Sequence, residues 1–119
     1  MRQPIKVEGH SLIDYAFFPA ATVVPVLLGL DGRARALPIA FGMTQGALNA
    51  LTDQPYAAKH LVPFKWHGRL ESVAVPAFAV AVLASGVLEQ PRAKAYFGAM
   101  IGALAIVYTL TDWDATAPD

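Results

Sequence analysis

Residues 72–88 read SVAVPAFAVAVLASGVL, seventeen positions without a charged side chain. Three more charge-free stretches stand in the chain: Tyr15–Leu30, Ala36–Thr52 and Ala95–Thr111. Each is close to the roughly 17–25 residues that a helix needs to cross a bilayer. One such run suits a buried helix of a soluble domain. Four in series, separated by short charged breaks, predict an all-α transmembrane bundle of four helices. Composition agrees: 55% of the 119 residues are hydrophobic, 15% are charged and mean hydropathy is +0.44. Soluble domains carry roughly 25% charged residues. Lipid removes the need for that polar surface.

The breaks between the runs set the connections. Asp31-Gly32-Arg33-Ala34-Arg35 and Glu89-Gln90-Pro91-Arg92-Ala93-Lys94 read as tight turns, with Gly32 suited to a left-handed position and Pro91 to a first helical turn. The central connection from Asp53 to Trp66 is longer and holds Pro55 and Pro63. It reads as an interfacial loop, with Tyr56, Phe64, Trp66 and, at the far end, Trp113 at headgroup level. The N-terminus, MRQPIKVEGHSLIDY, lacks the layout of a secretory signal, because Glu8 and Asp14 interrupt it. The first run is therefore expected to be a retained span. Pro19, Pro25, Pro38 and Pro76 are expected to kink or start helices.

The first and second halves match. Pro4-Ile5-Lys6 precedes His10 as Pro63-Phe64-Lys65 precedes His67. His10-Ser11-Leu12-Ile13-Asp14 answers to His67-Gly68-Arg69-Leu70-Glu71, and Pro19 and Pro76 follow the two histidines at the same distance. Phe41-Gly42-Met43 answers to Phe97-Gly98-Ala99-Met100, and Leu51-Thr52-Asp53 to Leu110-Thr111-Asp112. The expectation is one membrane domain over residues 1–119, containing two parallel helix-hairpin repeats at about 4–53 and 63–112.

This tandem layout, a His-x-x-x-Asp/Glu opening a span and a Leu-Thr-Asp closing the hairpin, resembles small uncharacterised bacterial four-span membrane proteins related to the SPW-repeat group. Phe18-Pro19-Ala20 and Val75-Pro76-Ala77 stand where the Ser-Pro-Trp triplet would fall. The resemblance implies four spans, a bacterial inner (cytoplasmic) membrane and no established activity.

Residues four apart on a helix share a face, so His10 lies over Asp14 and His67 over Glu71. The layout brings the starts of the first and third helices and the ends of the second and fourth to one membrane side. His10, Asp14, Asp53, His67, Glu71 and Asp112 are therefore candidates for one polar cluster. Three readings of it stay open. The groups pin the bundle by hydrogen bonds and helix-dipole effects. They hold a metal, or a haem between the two imidazoles. Or they carry a proton or small solute, with Asp53 and Asp112 in the path. The residues name no particular cofactor.

Gly42 and Gly46, and Gly98 and Gly102, form two Gly-x-x-x-Gly pairs suited to close helix packing, within the bundle or between chains. Gln45 and Asn49 are expected to hydrogen-bond a neighbouring helix. His60 reads as a solvated loop residue. No cysteine, phosphate loop, HExxH or GxSxG is present, and the nine basic residues form no nucleic-acid stripe. Lys and Arg are nearly balanced between the two sides and give no orientation. The leading expectation is a non-enzymatic accessory or structural subunit that packs in a larger membrane complex or with itself. The alternative is a metal- or haem-binding redox or transport protein built on the histidine–carboxylate cluster.

Overall fold

A computed structural model describes residues 3–116. Among these the chain is helical: α1 (Val7–Thr22), a short α2 (Val24–Leu27), α3 (Arg33–Ala50), α4 (Phe64–Ala84), a single 3₁₀ turn (Val87–Glu89) and α5 (Pro91–Leu110). No strand forms among the described residues. There are two isolated parallel bridges, Ile5 with Thr111 and Thr52 with Val62.

The helix breaks follow from local chemistry. Pro25 has no N–H to donate to the preceding turn, so the first helix resets at Val23 and continues as α2. Gly29 and Gly86 adopt positive φ where the chain leaves α2 and α4, a conformation that glycine reaches without strain. Pro91 opens α5, where a missing N–H costs nothing. Pro19, Pro38 and Pro76 sit inside α1, α3 and α4.

Three helical segments are long and apolar enough to cross a membrane: Val7–Leu27, Phe64–Ala84 and Pro91–Leu110. At 1.5 Å per residue, the 21 residues of α4 span about 31 Å, close to the hydrocarbon thickness of a bilayer. The fourth helix, α3, is not in this class. Arg33 and Arg35 open it, and Gln45 and Asn49 interrupt its apolar stretch.

The helices pack around an apolar core in which Leu30, Phe78, Val82, Phe97 and Met100 are buried. Phe41 stacks on Phe78 with ring centroids 4.2 Å apart. Tyr96 donates its hydroxyl hydrogen to the carbonyl of Ala20 at 2.7 Å. On the outside, Leu27, Val73, Leu83 and Ile106 are largely exposed. Asn49 crosses from α3 to α1 and donates to the Ser11 carbonyl at 3.0 Å.

The two glycine pairs differ. A Cβ added at Gly42 would lie 2.6 Å from the Cβ of Ala21, and one at Gly46 would lie 3.0 Å from the Phe18 ring. This pair lets α3 lie directly on α1. Gly98 and Gly102 are open: among the described residues an added Cβ would meet no atom of another element within 4 Å. Gly42→Val is therefore expected to destabilise the bundle by about 1–3 kcal/mol through overpacking. Gly98→Val should leave the melting temperature of the isolated chain in detergent nearly unchanged. Equal losses at the two positions would contradict this packing.

Candidate functional site: a buried histidine–carboxylate quartet

His10 and Asp14 come from the first turns of α1, and His67 and Glu71 from those of α4. The i, i+4 spacing aims both members of each pair the same way, and the two helices face each other, so all four side chains meet. All four are buried, the histidines to 1% exposure. His10 Nε2 lies 3.2 Å from Asp14 Oδ2 and 3.3 Å from Glu71 Oε1. His67 Nε2 lies 3.0 Å from Asp14 Oδ2 and 2.9 Å from Glu71 Oε1. Two ring nitrogens and two carboxylate oxygens thus alternate around a closed circuit.

The outer nitrogens of the rings are held by threonines. His10 Nδ1 is 2.9 Å from Thr111 Oγ1, and His67 Nδ1 is 2.7 Å from Thr52 Oγ1. Each hydroxyl already donates its one hydrogen to a carbonyl on its own helix, Thr52 to Leu48 and Thr111 to Val107. A hydroxyl has a single donor, so each threonine can only accept from the imidazole. Nδ1 therefore carries the hydrogen in both rings, and both Nε2 atoms turn inward toward the carboxylates. In the neutral ring that inward nitrogen is a bare lone pair. Lone pairs of nitrogen and carboxylate oxygen repel at these distances. The centre needs hydrogen or a cation between these atoms: protons on Nε2 or on the carboxyls, or a metal ion among the four.

Protons alone fit incompletely. Glu71 Oε1 lies in hydrogen-bonding geometry to both rings. Asp14 Oδ2 lies within ion-pair distance of both nitrogens, at 3.2 and 3.0 Å, yet makes no well-aligned hydrogen bond to either ring.

An aromatic cap covers the imidazole side. The Trp113 ring sits 4.6 Å from that of His10 and 5.9 Å from that of His67, and stacks on Phe64 at 5.0 Å. Gly68 makes room for it, since a Cβ there would lie 2.5 Å from the indole. Phe64 is buried, and both rings face the site, where headgroup positions were expected. Trp66 and Tyr56 are exposed, and the Arg69 guanidinium lies 4.7 Å from the Trp66 ring centre.

Two of the six acids and histidines expected in one cluster lie outside it. Asp53 pairs with His60 at 2.8 Å, both half-exposed in the central loop, and Asp112 pairs with Lys6 at 2.8 Å. Their neighbours Thr52 and Thr111 point inward instead. The Leu-Thr-Asp motif that occurs twice contained the right residue, one position before the one expected. Gly68 and Trp113 carried no sequence signal that set them apart.

The loop is tied down on the same side. Gln54, fully buried, donates to the Asn49 carbonyl at 2.8 Å, and its side-chain oxygen accepts from the Tyr56 amide at 2.7 Å. Tyr56 donates its hydroxyl hydrogen to Glu8 at 2.9 Å, and this carboxylate raises the Tyr56 pKa. The hydrogen bond from Lys6 lowers the Asp112 pKa below the usual carboxylate value. The sign follows from the depressed folded-state value: the Lys6–Asp112 tie is intact above the ordinary carboxylate range and opens only as pH falls below it. The Asp112 amide donates to the Ile5 carbonyl at 2.8 Å beside this pair. Its hydrogen-exchange protection should hold through that range, fall below it, and fall at every pH in Asp112→Asn.

Replacing either threonine by valine keeps the shape and removes the acceptor for Nδ1–H. Thr52→Val and Thr111→Val are each expected to cost roughly 1–3 kcal/mol in chemical denaturation from detergent. Similar losses for the pair would match their equivalent geometry; no loss in either would refute the assigned ring tautomers.

No family model, no curated protein and no solved structure matches this chain.

Proposed function

We propose that the chain is a four-span membrane protein, built from two parallel hairpin repeats, that binds one divalent transition-metal ion with His10, Asp14, His67 and Glu71. The observation that carries the metal reading is the inward convergence of two threonine-oriented Nε2 atoms and two carboxylate oxygens, one of them without a hydrogen-bond partner. A single dication would neutralise both carboxylates and give all four atoms a partner at once. Tetrahedral coordination at 2.0–2.2 Å bond lengths puts neighbouring ligand atoms about 3.3–3.6 Å apart. The separations, 2.9, 3.0, 3.2 and 3.3 Å, lie at or just below this range, so the side chains would spread by a few tenths of an ångström around an ion. Mixed imidazole and carboxylate donors suit Zn²⁺, Fe²⁺ or Mn²⁺. The threonine hydroxyls on Nδ1 are the outer-shell partners that a ligating histidine requires.

Three apolar helices and an exposed apolar exterior support the membrane reading. The site itself supports a fourth span. Thr52, at the end of α3, reaches His67, and Thr111, at the end of α5, reaches His10. Both helices end beside the starts of α1 and α4, as a four-span arrangement requires. The repeat reading rests on matched pairs: His10 with His67, Asp14 with Glu71, Thr111 with Thr52, and the Ile5–Thr111 bridge with the Val62–Thr52 bridge. On the resemblance to the SPW-repeat group, the membrane in this reading is the bacterial cytoplasmic one.

A second reading, an accessory subunit that packs against another membrane protein or a second copy, is favoured by the open face at Gly98 and Gly102. Gly98→Leu should then break the native complex in gentle detergent while the chain itself stays folded. A wild-type chain that is strictly monomeric and without partners under those conditions would remove this reading.

The metal reading is tested by titrating metal-stripped protein in detergent with Zn²⁺, Mn²⁺ and anaerobic Fe²⁺. One equivalent should bind, and at a hundred times Kd the fold should gain about 2.7 kcal/mol by linkage. His10→Ala and His67→Ala should abolish stoichiometric binding, and Thr52→Val should weaken it about 10–100-fold. Affinity should rise with pH through the imidazole range, because the metal competes with protons for Nε2. A melting temperature indifferent to all three ions would overturn the proposal.

A further inference from the structure

At the end of the bundle away from the quartet, an apolar groove of about 420 Å³ runs between α4 and α5. Small side chains at Ala79 and Gly98 leave the space, and Val82 and Phe97 of the core lie beneath it. Lys94 is the one charged residue on its lining, one turn inside the start of α5. This end of the chain carries Arg33, Arg35, Arg92 and Lys94 against two acids, Asp31 and Glu89. Every ion pair among the described residues lies at the quartet end instead. Arg33, Arg35 and Arg92 donate to the carbonyls of Ser85, Leu30 and Leu28. Among the described residues Lys94 is the one of the four without such a tie. Helix α5 does not account for it either, because a cation in the first turn opposes the helix dipole.

Resting on the membrane reading above, and independent of the metal, we propose that this groove is a binding site for one anionic phospholipid, with an acyl chain between α4 and α5 and the headgroup phosphate on Lys94. The groove has the layout of such a ligand, apolar along its length and cationic at the end nearest the helix start. From Lys94 to Ile101 it covers two turns of α5, about 10 Å into the bilayer from the headgroup level. A lysine there lays its stem along the apolar wall and keeps its ammonium in the interface. Unpaired basic charge at this end selects a headgroup of net negative charge over a zwitterionic one, whose own cation cancels the attraction. A helix of a second copy seated in the groove would instead press apolar surface onto Lys94, and burying an unpaired charge is costly. A headgroup pairs the ammonium without burying it.

The test uses native mass spectrometry of the full-length chain in mild detergent, with phosphatidylglycerol and phosphatidylcholine of identical acyl chains added in competition. The wild type should retain one phosphatidylglycerol with a severalfold preference over phosphatidylcholine. Lys94→Gln, a change at an exposed position, should abolish the preference, and Lys94→Arg should keep it. Ala79→Phe, which fills the groove from α4, should lower retention of both lipids severalfold; if it fails to fold, Ile101→Phe fills the same space from α5. Equal retention of the two lipids by the wild type, a preference unchanged in Lys94→Gln, or retention unchanged in a folded filled variant would overturn this inference and leave the membrane reading intact. So would a lipid-free wild-type dimer that Ala79→Phe dissociates, since a second copy would then occupy the groove. A chain that stays compact in buffer without detergent and retains neither lipid would overturn the membrane reading and this inference together.

Discussion

Two buried carboxylates facing two buried imidazole nitrogens form the constraint around which this end of the molecule is arranged. Charge taken out of water is costly unless it is paired and its remaining polar atoms are satisfied. Almost every polar side chain nearby answers that demand. Thr52 and Thr111 fix the rings, Phe64 and Trp113 exclude water from one side, and Gly68 leaves the space that Trp113 occupies. The parallel bridges Ile5–Thr111 and Thr52–Val62 hold the threonine-bearing helix ends against the starts of the histidine helices. Such a centre draws elements from both halves of the chain, so it also sets how the halves fit together.

The cross-connection is specific. His10, in the first half, takes its outer partner from α5, and His67, in the second half, takes its partner from α3. Neither half completes its own site. Even a pair of hairpins able to insert separately would complete the centre only by associating. The opposite end has a different economy, with aromatic and aliphatic side chains packed around Phe97 and Val82 and few polar contacts. Chemistry and bulk packing are thus separated along the bundle axis.

Much of this was legible in the residues. Four charge-free runs marked α1 with α2, α3, α4 and α5, and the four-residue spacing put His10 with Asp14 and His67 with Glu71 on common faces. Elsewhere the reading went one residue astray. Asp53 and Asp112 were the expected members, but Thr52 and Thr111 lie just past the helix ends, in bridged backbone, where consecutive side chains point to opposite sides. That alternation sent the threonines inward and the aspartates to Lys6 and His60. A charge is the more conspicuous candidate in a sequence; a threonine that accepts a hydrogen bond shows itself only when its partner's position is known.

The sequence by itself determined which segments are helical, because apolar runs, prolines and glycines act through the local backbone. It also determined which residues share a helix face, because the helical repeat is fixed. The tertiary structure decided what each face meets. One Gly-x-x-x-Gly pair lies under α1 while the other faces open space, although the two motifs look alike. The same holds for the quartet: spacing made two pairs, and only the approach of α4 to α1 made them one centre. Contacts between distant segments depend on how whole helices dock, and that balance of packing and buried charge is not written in any single stretch of chain.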